Sequence, residues 1–158
     1  MILKIEIDKF PEKLQEKIKI NEADFRENLI YNKNIDIVFR GVKYNKEKTK
    51  IMKEDFVANI YKKGRPSLAE NNSKIGLTDF SCSVFTSLDD FHLYTSFPNK
   101  NKAVAKGNLK VEHGPYKLSK KTTHIDWFLY KDSDPSKDFI ICETIDDYNK
   151  ENRGNNYE

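Results

Sequence analysis

At 158 residues the chain has the length of one domain with one buried core, and dividing it would leave two marginal units. Ten Phe, eight Tyr and one Trp, within 37 % hydrophobic and 34 % charged residues, exclude a disordered chain. The absence of any run of about 18 apolar residues excludes a membrane-spanning helix, and a net charge of +3 is too small to argue for a polyanionic partner.

Ile2, Leu3, Ile5 and Ile7, with Lys4 and Glu6 between them, alternate as a short strand rather than as a secretory signal. Pro11 and Glu12 suit the first turn of a helix whose apolar stripe is Leu14 and Ile18. Asn21, followed by Glu22 and Asp24, reads as an N-cap for a second helix carrying Phe25, Leu29 and Ile30. Residues 35–42 are a strand, 43–54 a Lys-rich connector, 55–62 a short helix and 64–74 a loop by composition.

Residues 80–86 are a further strand. Ser87 and Asp90 have capping-box spacing and lead a helix over 88–97 that Pro98 ends. Strands follow at 103–111, 124–130 and 138–143, and the Asp/Ser/Pro segment 132–136 predicts a hairpin that pairs the last two. The expectation is one α+β domain over 1–145, with an antiparallel or mixed sheet, helices mainly in the N-terminal half and packed on one side, and a frayed polar tail over 146–158. Cys82 and Cys142 sit in apolar runs and are expected as reduced, buried thiols of a cytoplasmic protein.

Of the 28 basic residues only Arg26, Arg40, Arg65 and Arg153 are Arg, a Lys-heavy vocabulary that makes Arg40 stand out within its strand. Alternation places Val38, Arg40 and Val42 on one face, and a guanidinium fork matches a carboxylate or phosphate as an ammonium does not. Arg40 is thus an anion clamp or, the favoured reading, one end of an internal salt bridge to Asp36 or Glu143. Ser81 and Ser83 share a face beside Phe85, suited to a ribose or an amide or to cross-strand hydroxyl pairing, while Ser87 is explained as a cap. Glu143 closes the last apolar run as an acid or base, as Arg40's partner, or as the first exposed residue.

Arg40, the Ser81-Cys82-Ser83 strand and Glu143, in that order, resemble the Arg…Ser…Glu pattern of ADP-ribosyltransferases. The resemblance implies a nicotinamide dinucleotide as cofactor, with Arg40 on its phosphate, Ser81 or Ser83 at the nicotinamide ribose and Glu143 steering transfer. Two departures stand: Cys82 replaces the family's Thr, and Ile141 stands where the family carries Glu or Gln.

His124, Asp126, Phe128 and Tyr130 alternate onto one face, as a polar-aromatic surface or a partly buried network. His124 and Asp126, two apart on one strand, are spaced too widely for an easy hydrogen bond. His92, His113 and His124 have no ligand spacing, so no metal site is expected. The lysines around Tyr44 read as a solvated loop, and nucleic acid is the less favoured partner.

Two function classes follow. The favoured one is a binding protein, without a cofactor, that holds an anionic small molecule or a protein partner through Arg40, His124, Asp126, Phe128 and Tyr130. The other is a transferase that uses the nicotinamide dinucleotide.

Overall fold

The computed structural model describes residues 6–59, 76–95, 97–98 and 101–155, with side chains to 151. Six strands, β1 (Ile35–Lys43), β2 (Cys82–Phe85), β3 (Lys102–Leu109), β4 (Tyr116–Leu118), β5 (His124–Trp127) and β6 (Phe139–Glu143), form one sheet in the order β4-β5-β2-β1-β3-β6. Every neighbouring pair is antiparallel. Among the described residues four helices accompany it: α1 (Glu12–Ile20), α2 (Glu22–Arg26), α3 (Leu88–Tyr94) and α4 (Ile145–Asn155). The fold is α+β, as the order of sequence elements implies. Among the described residues no helix is long and apolar enough to cross a membrane.

β1 owes its central place to β-branched and aromatic residues on both faces. Val38 and Val42 join Cys82, Val84, Ala105, Ile125 and Trp127 in the largest apolar cluster, on one face of the sheet. On the other face Phe39 packs beside Phe85, Phe91, Phe97 and Val104, with α3 and α4 above them. A third cluster lies under α1 and α2, where Leu14 and Ile18 meet Phe10, Phe25, Phe80 and Phe128. Each such side chain, fully buried, contributes about 1.5–3 kcal/mol.

Several local expectations change in three dimensions. The expected N-terminal strand lies largely outside the described residues, and Ile7–Lys9 is a 3-10 turn. Only a four-residue 3-10 turn, Lys53–Phe56, replaces the described part of the helix expected over 55–62, and the loop 64–74 lies outside the described residues. Asn21 does not cap α2; its Nδ2 donates to the Lys17 carbonyl at 3.1 Å and so closes α1. Ser87 does cap α3, accepting from the Asp90 amide at 3.2 Å. The Asp90 carboxylate instead accepts from the backbone and hydroxyl of Thr123, at 3.0 and 2.8 Å, tying α3 to the start of β5. Within the expected polar tail Ile145–Asn155 is helical, held by Tyr148 against His92 and Phe97.

The 132–136 segment does not close a hairpin. β6 pairs with β3 at the far edge, and the chain crosses the Trp127 face to reach it, through a 3-10 turn (Pro135–Asp138) capped by Asp134. Between β3 and β6 the register slips, so Val104 opposes Glu143 and Ala105 opposes Ile141, and the extra residue, Cys142, bulges. That bulge leaves Cys142 exposed on the edge strand, whereas Cys82 is buried as expected.

Asp138, at the end of this crossing, accepts from Lys110 Nζ at 2.9 Å and faces His113 Nε2 at 3.3 Å. Burial pushes its carboxyl up, but the bonds from Lys110 and His113 outweigh burial and hold it below the ordinary carboxylate value. A lowered folded-state value means the contribution is complete at neutral pH and is lost as pH falls through that value. Asp138→Asn is therefore expected to flatten the stability–pH curve below about pH 4, measured as urea midpoints across an acid series, and to leave its shape unchanged near neutrality.

Candidate functional site

Arg40 is 4 % exposed and has no carboxylate partner among the described residues. Its guanidinium donates instead to three main-chain carbonyls: Nε to Asp55 at 2.8 Å, Nη1 to Ser83 at 2.7 Å and Nη2 to Val57 at 3.2 Å. The Phe56 ring lies 5.9 Å from the guanidinium carbon. Arg suits this burial because its charge is delocalised and weakly hydrated, and its fork has five donors, of which three are committed here. The salt bridge expected to Asp36 or Glu143 is absent, and carbonyl dipoles take its place.

β1 and β2 have a single residue pair in register, Phe39 with Phe85. At this seam Arg40, whose side chain alternation assigns to the Trp127 face, lines a cleft on the α3 face. The cleft holds about 370 Å³, within the range of small-ligand sites. Phe85, Phe91, Phe97 and Tyr94 give it aromatic walls, with Tyr94 58 % exposed. Gly41 forms part of the floor, and a Cβ there would stand 3.3 Å from the Phe91 ring, so glycine lets α3 rest on β1. Arg40, Lys102 and His124 bring nitrogen to it, and among the described residues no carboxylate lines it.

The residues singled out in the sequence divide between the cleft and its surroundings. Ser83 lines the cleft and its Oγ accepts from Asn59 Nδ2 at 3.2 Å. Ser81 does not line it; fully buried, its hydroxyl lies 2.8 Å from the Thr78 carbonyl and 2.9 Å from Asp126 Oδ1. His124 lines the cleft with its ring edge-on to Phe85, its Nδ1 3.1 Å from Ser119 Oγ. Its Nε2 is 3.9 Å from Asp126 Oδ1, beyond hydrogen-bonding distance as strand geometry requires. Phe128 is buried against Phe25 under α2, and Tyr130 packs on Phe10. β5 ends at Trp127, so alternation stops there and no open face runs from His124 to Tyr130.

Glu143 is buried and accepts from or faces His92 Nε2 at 2.6 Å, with His92 stacked on Phe97. It does not line the cleft, and it projects from the opposite face of the sheet to Arg40. The register shows why: Arg40 aligns with Ala105 and Ile141, whereas Gly41 aligns with Val104 and Glu143. Without the bulge at Cys142, Glu143 would share the face of Ile141 and Arg40. Arg40, Ser83 and His124 are thus brought together; Ser81, Asp126 and Glu143 stand behind them.

No family model matches the chain, and neither does any curated protein or solved structure compared with it.

Sequence reasoning missed Phe91, Tyr94, Phe97 and Lys102 as cleft residues. The helical spacing of Phe91 and Tyr94 was readable beforehand, but nothing local said that α3 would lie over Gly41.

Proposed function

We propose that the chain is a small-ligand binding protein whose cleft takes a molecule with a planar ring and an anionic group, the chemistry of a nucleotide. The observation that carries this reading is a buried Arg40, without a carboxylate partner among the described residues, at the wall of a cleft that Phe85, Phe91, Tyr94 and Phe97 also line. Uncommitted guanidinium donors and Lys102 suit a phosphate, and the exposed Tyr94 ring suits a base. Two thiols, neither in a disulfide, support the cytoplasmic setting expected from the sequence.

A ligand present at about 100 times its dissociation constant adds about 2.7 kcal/mol, which for a domain of this size raises the melting temperature by about 5–10 °C. That rise is expected with at least one member of a panel of mono- and dinucleotides. Base–aromatic stacking is worth about 1–3 kcal/mol, so Tyr94→Ala, a surface change, should weaken the same ligand about five- to hundredfold and cut the shift by about a third or more. A panel that leaves the melting temperature unmoved would reject the reading.

One observation favours the transferase alternative. Arg40 and Ser83, two of the three residues of the ADP-ribosyltransferase resemblance, are joined by a hydrogen bond and line one cleft. Against it, Glu143 is held by His92 and no other carboxylate takes its place in the cleft among the described residues. Nicotinamide released from the dinucleotide in the same panel would favour transfer; binding without release leaves the protein a binder.

A further inference from the structure

Lys43 and Lys102 are register partners, last on β1 and first on β3, and both are exposed. Like charges directly opposite each other across a strand pair are destabilising. Neither ammonium has a carboxylate partner among the described residues. Alternation from Gly41 to Lys43 and from Val104 to Lys102 puts both stems on the α3 face, where Lys102 lines the cleft and Lys43 stands beside it in register.

Lys102 has a second relation. It lines both the cleft and an adjoining groove of about 290 Å³, whose other walls include Tyr44, Lys46 and Thr49. The path from cleft to groove therefore runs from a ring (Tyr94) past Lys102, with its register partner Lys43 alongside, to a second ring (Tyr44). Beyond it lie the exposed Lys46 and Lys50 of the β1 hairpin extension, whose turn is pinned by Asn45 and Lys48. Asp146 is the one carboxylate lining the groove among the described residues. Lys48 is not part of the path, because its ammonium is bound to Asp55 at 2.6 Å. Alternating ring platforms and backbone-tracking cations are the elements of a site for single-stranded nucleic acid.

We infer that the cleft and groove form one track for a single strand, with a base in the cleft against Tyr94, a phosphate between Lys43 and Lys102, and the next nucleotide over Tyr44. This rests on the reading of the cleft as a nucleotide site and extends it to a polymer. A phosphate at that position relieves the Lys43–Lys102 repulsion, which gives the paired lysines a use that a solvated face does not need.

The test is fluorescence anisotropy of a fluorescein-labelled short oligothymidylate with the full chain across a salt series, beside the thermal shift with thymidine monophosphate. Wild type is expected to bind the oligomer at least tenfold more tightly than the monophosphate. Its log–log salt slope should become shallower by roughly 0.7 in Lys43→Ala and again in Lys102→Ala, while Lys13→Ala, on exposed α1 surface, leaves it unchanged. If the monophosphate stabilises the protein but the oligomer binds no better, or the two variants behave as Lys13→Ala does, the track is wrong and the cleft reading stands. If neither ligand binds, both fall.

Discussion

Arg40→Ala is expected to cost about 3–5 kcal/mol of folding stability, a drop of about 10 °C in melting temperature. The substitution leaves the part-buried carbonyls of Asp55, Val57 and Ser83 without their donor, and it opens a cavity beside Phe56. Those three carbonyls belong to the 3-10 segment after β1 and to β2, so the guanidinium clamps the segment to the seam of the sheet. Arg40→Lys keeps a charge but can satisfy those acceptors only as a point donor on a flexible stem, and should recover less than half of the loss. Urea denaturation of the three proteins measures both numbers. A loss below about 1 kcal/mol for the alanine variant would mean that the carbonyls are readily hydrated and the clamp is not structural. Because one residue serves both the fold and the cleft wall, Arg40 variants cannot separate binding from stability. Tyr94→Ala and Lys102→Ala, both at exposed positions, can.

Gly114→Ala is expected to destabilise by about 3 kcal/mol or more. Gly114 has φ 145° and ψ 154°, a conformation essentially restricted to glycine. An added Cβ would also stand 2.0 Å from the Phe128 carbonyl oxygen and 2.9 Å from the Leu129 Cα, main-chain atoms that cannot swing aside as a side chain would. The same residue accepts the Trp127 indole N–H at 3.0 Å, so displacing it unseats the largest buried side chain of the core. Around it the chain turns from the 3-10 segment Val111–His113 into β4, whose Tyr116 pairs with Trp127. Loss of Trp127 fluorescence cooperativity in urea, with a midpoint shifted to lower denaturant, is the expected record. A midpoint within error of wild type would show that the turn relaxes without strain.

The two substitutions bear on different layers of the molecule. Gly114 secures the β4–β5 edge on which His124 is carried, and Arg40 secures the seam that opens the cleft. His124 reaches the cleft only because β5 pairs with β2 in the register that sets it opposite Phe85. A change at Gly114 is therefore felt at the ligand site through β5, whereas Tyr94 and Lys102 act on the ligand directly.

Much of what is local could be read from residue order. The 35–42 alternation marked β1, the Leu14 and Ile18 stripe marked α1, and Ser87 with Asp90 marked the start of α3, because periodicity and capping act over a few residues. The isolated Arg within a Lys-rich vocabulary marked Arg40 as unusual, and it is buried. What could not be read depends on partners distant along the chain. Whether 132–136 closes a hairpin depends on where β6 finds an edge, and the free edge was that of β3. Glu143 turned from Arg40 through one bulged residue, because a strand's faces reverse with every residue of slip. Lys43 looked like one more solvated lysine until β3 set Lys102 opposite it. Hydrophobic period and caps are written in neighbouring residues, whereas sheet register and the facing of charges follow from which strands pair, and there the tertiary packing decides.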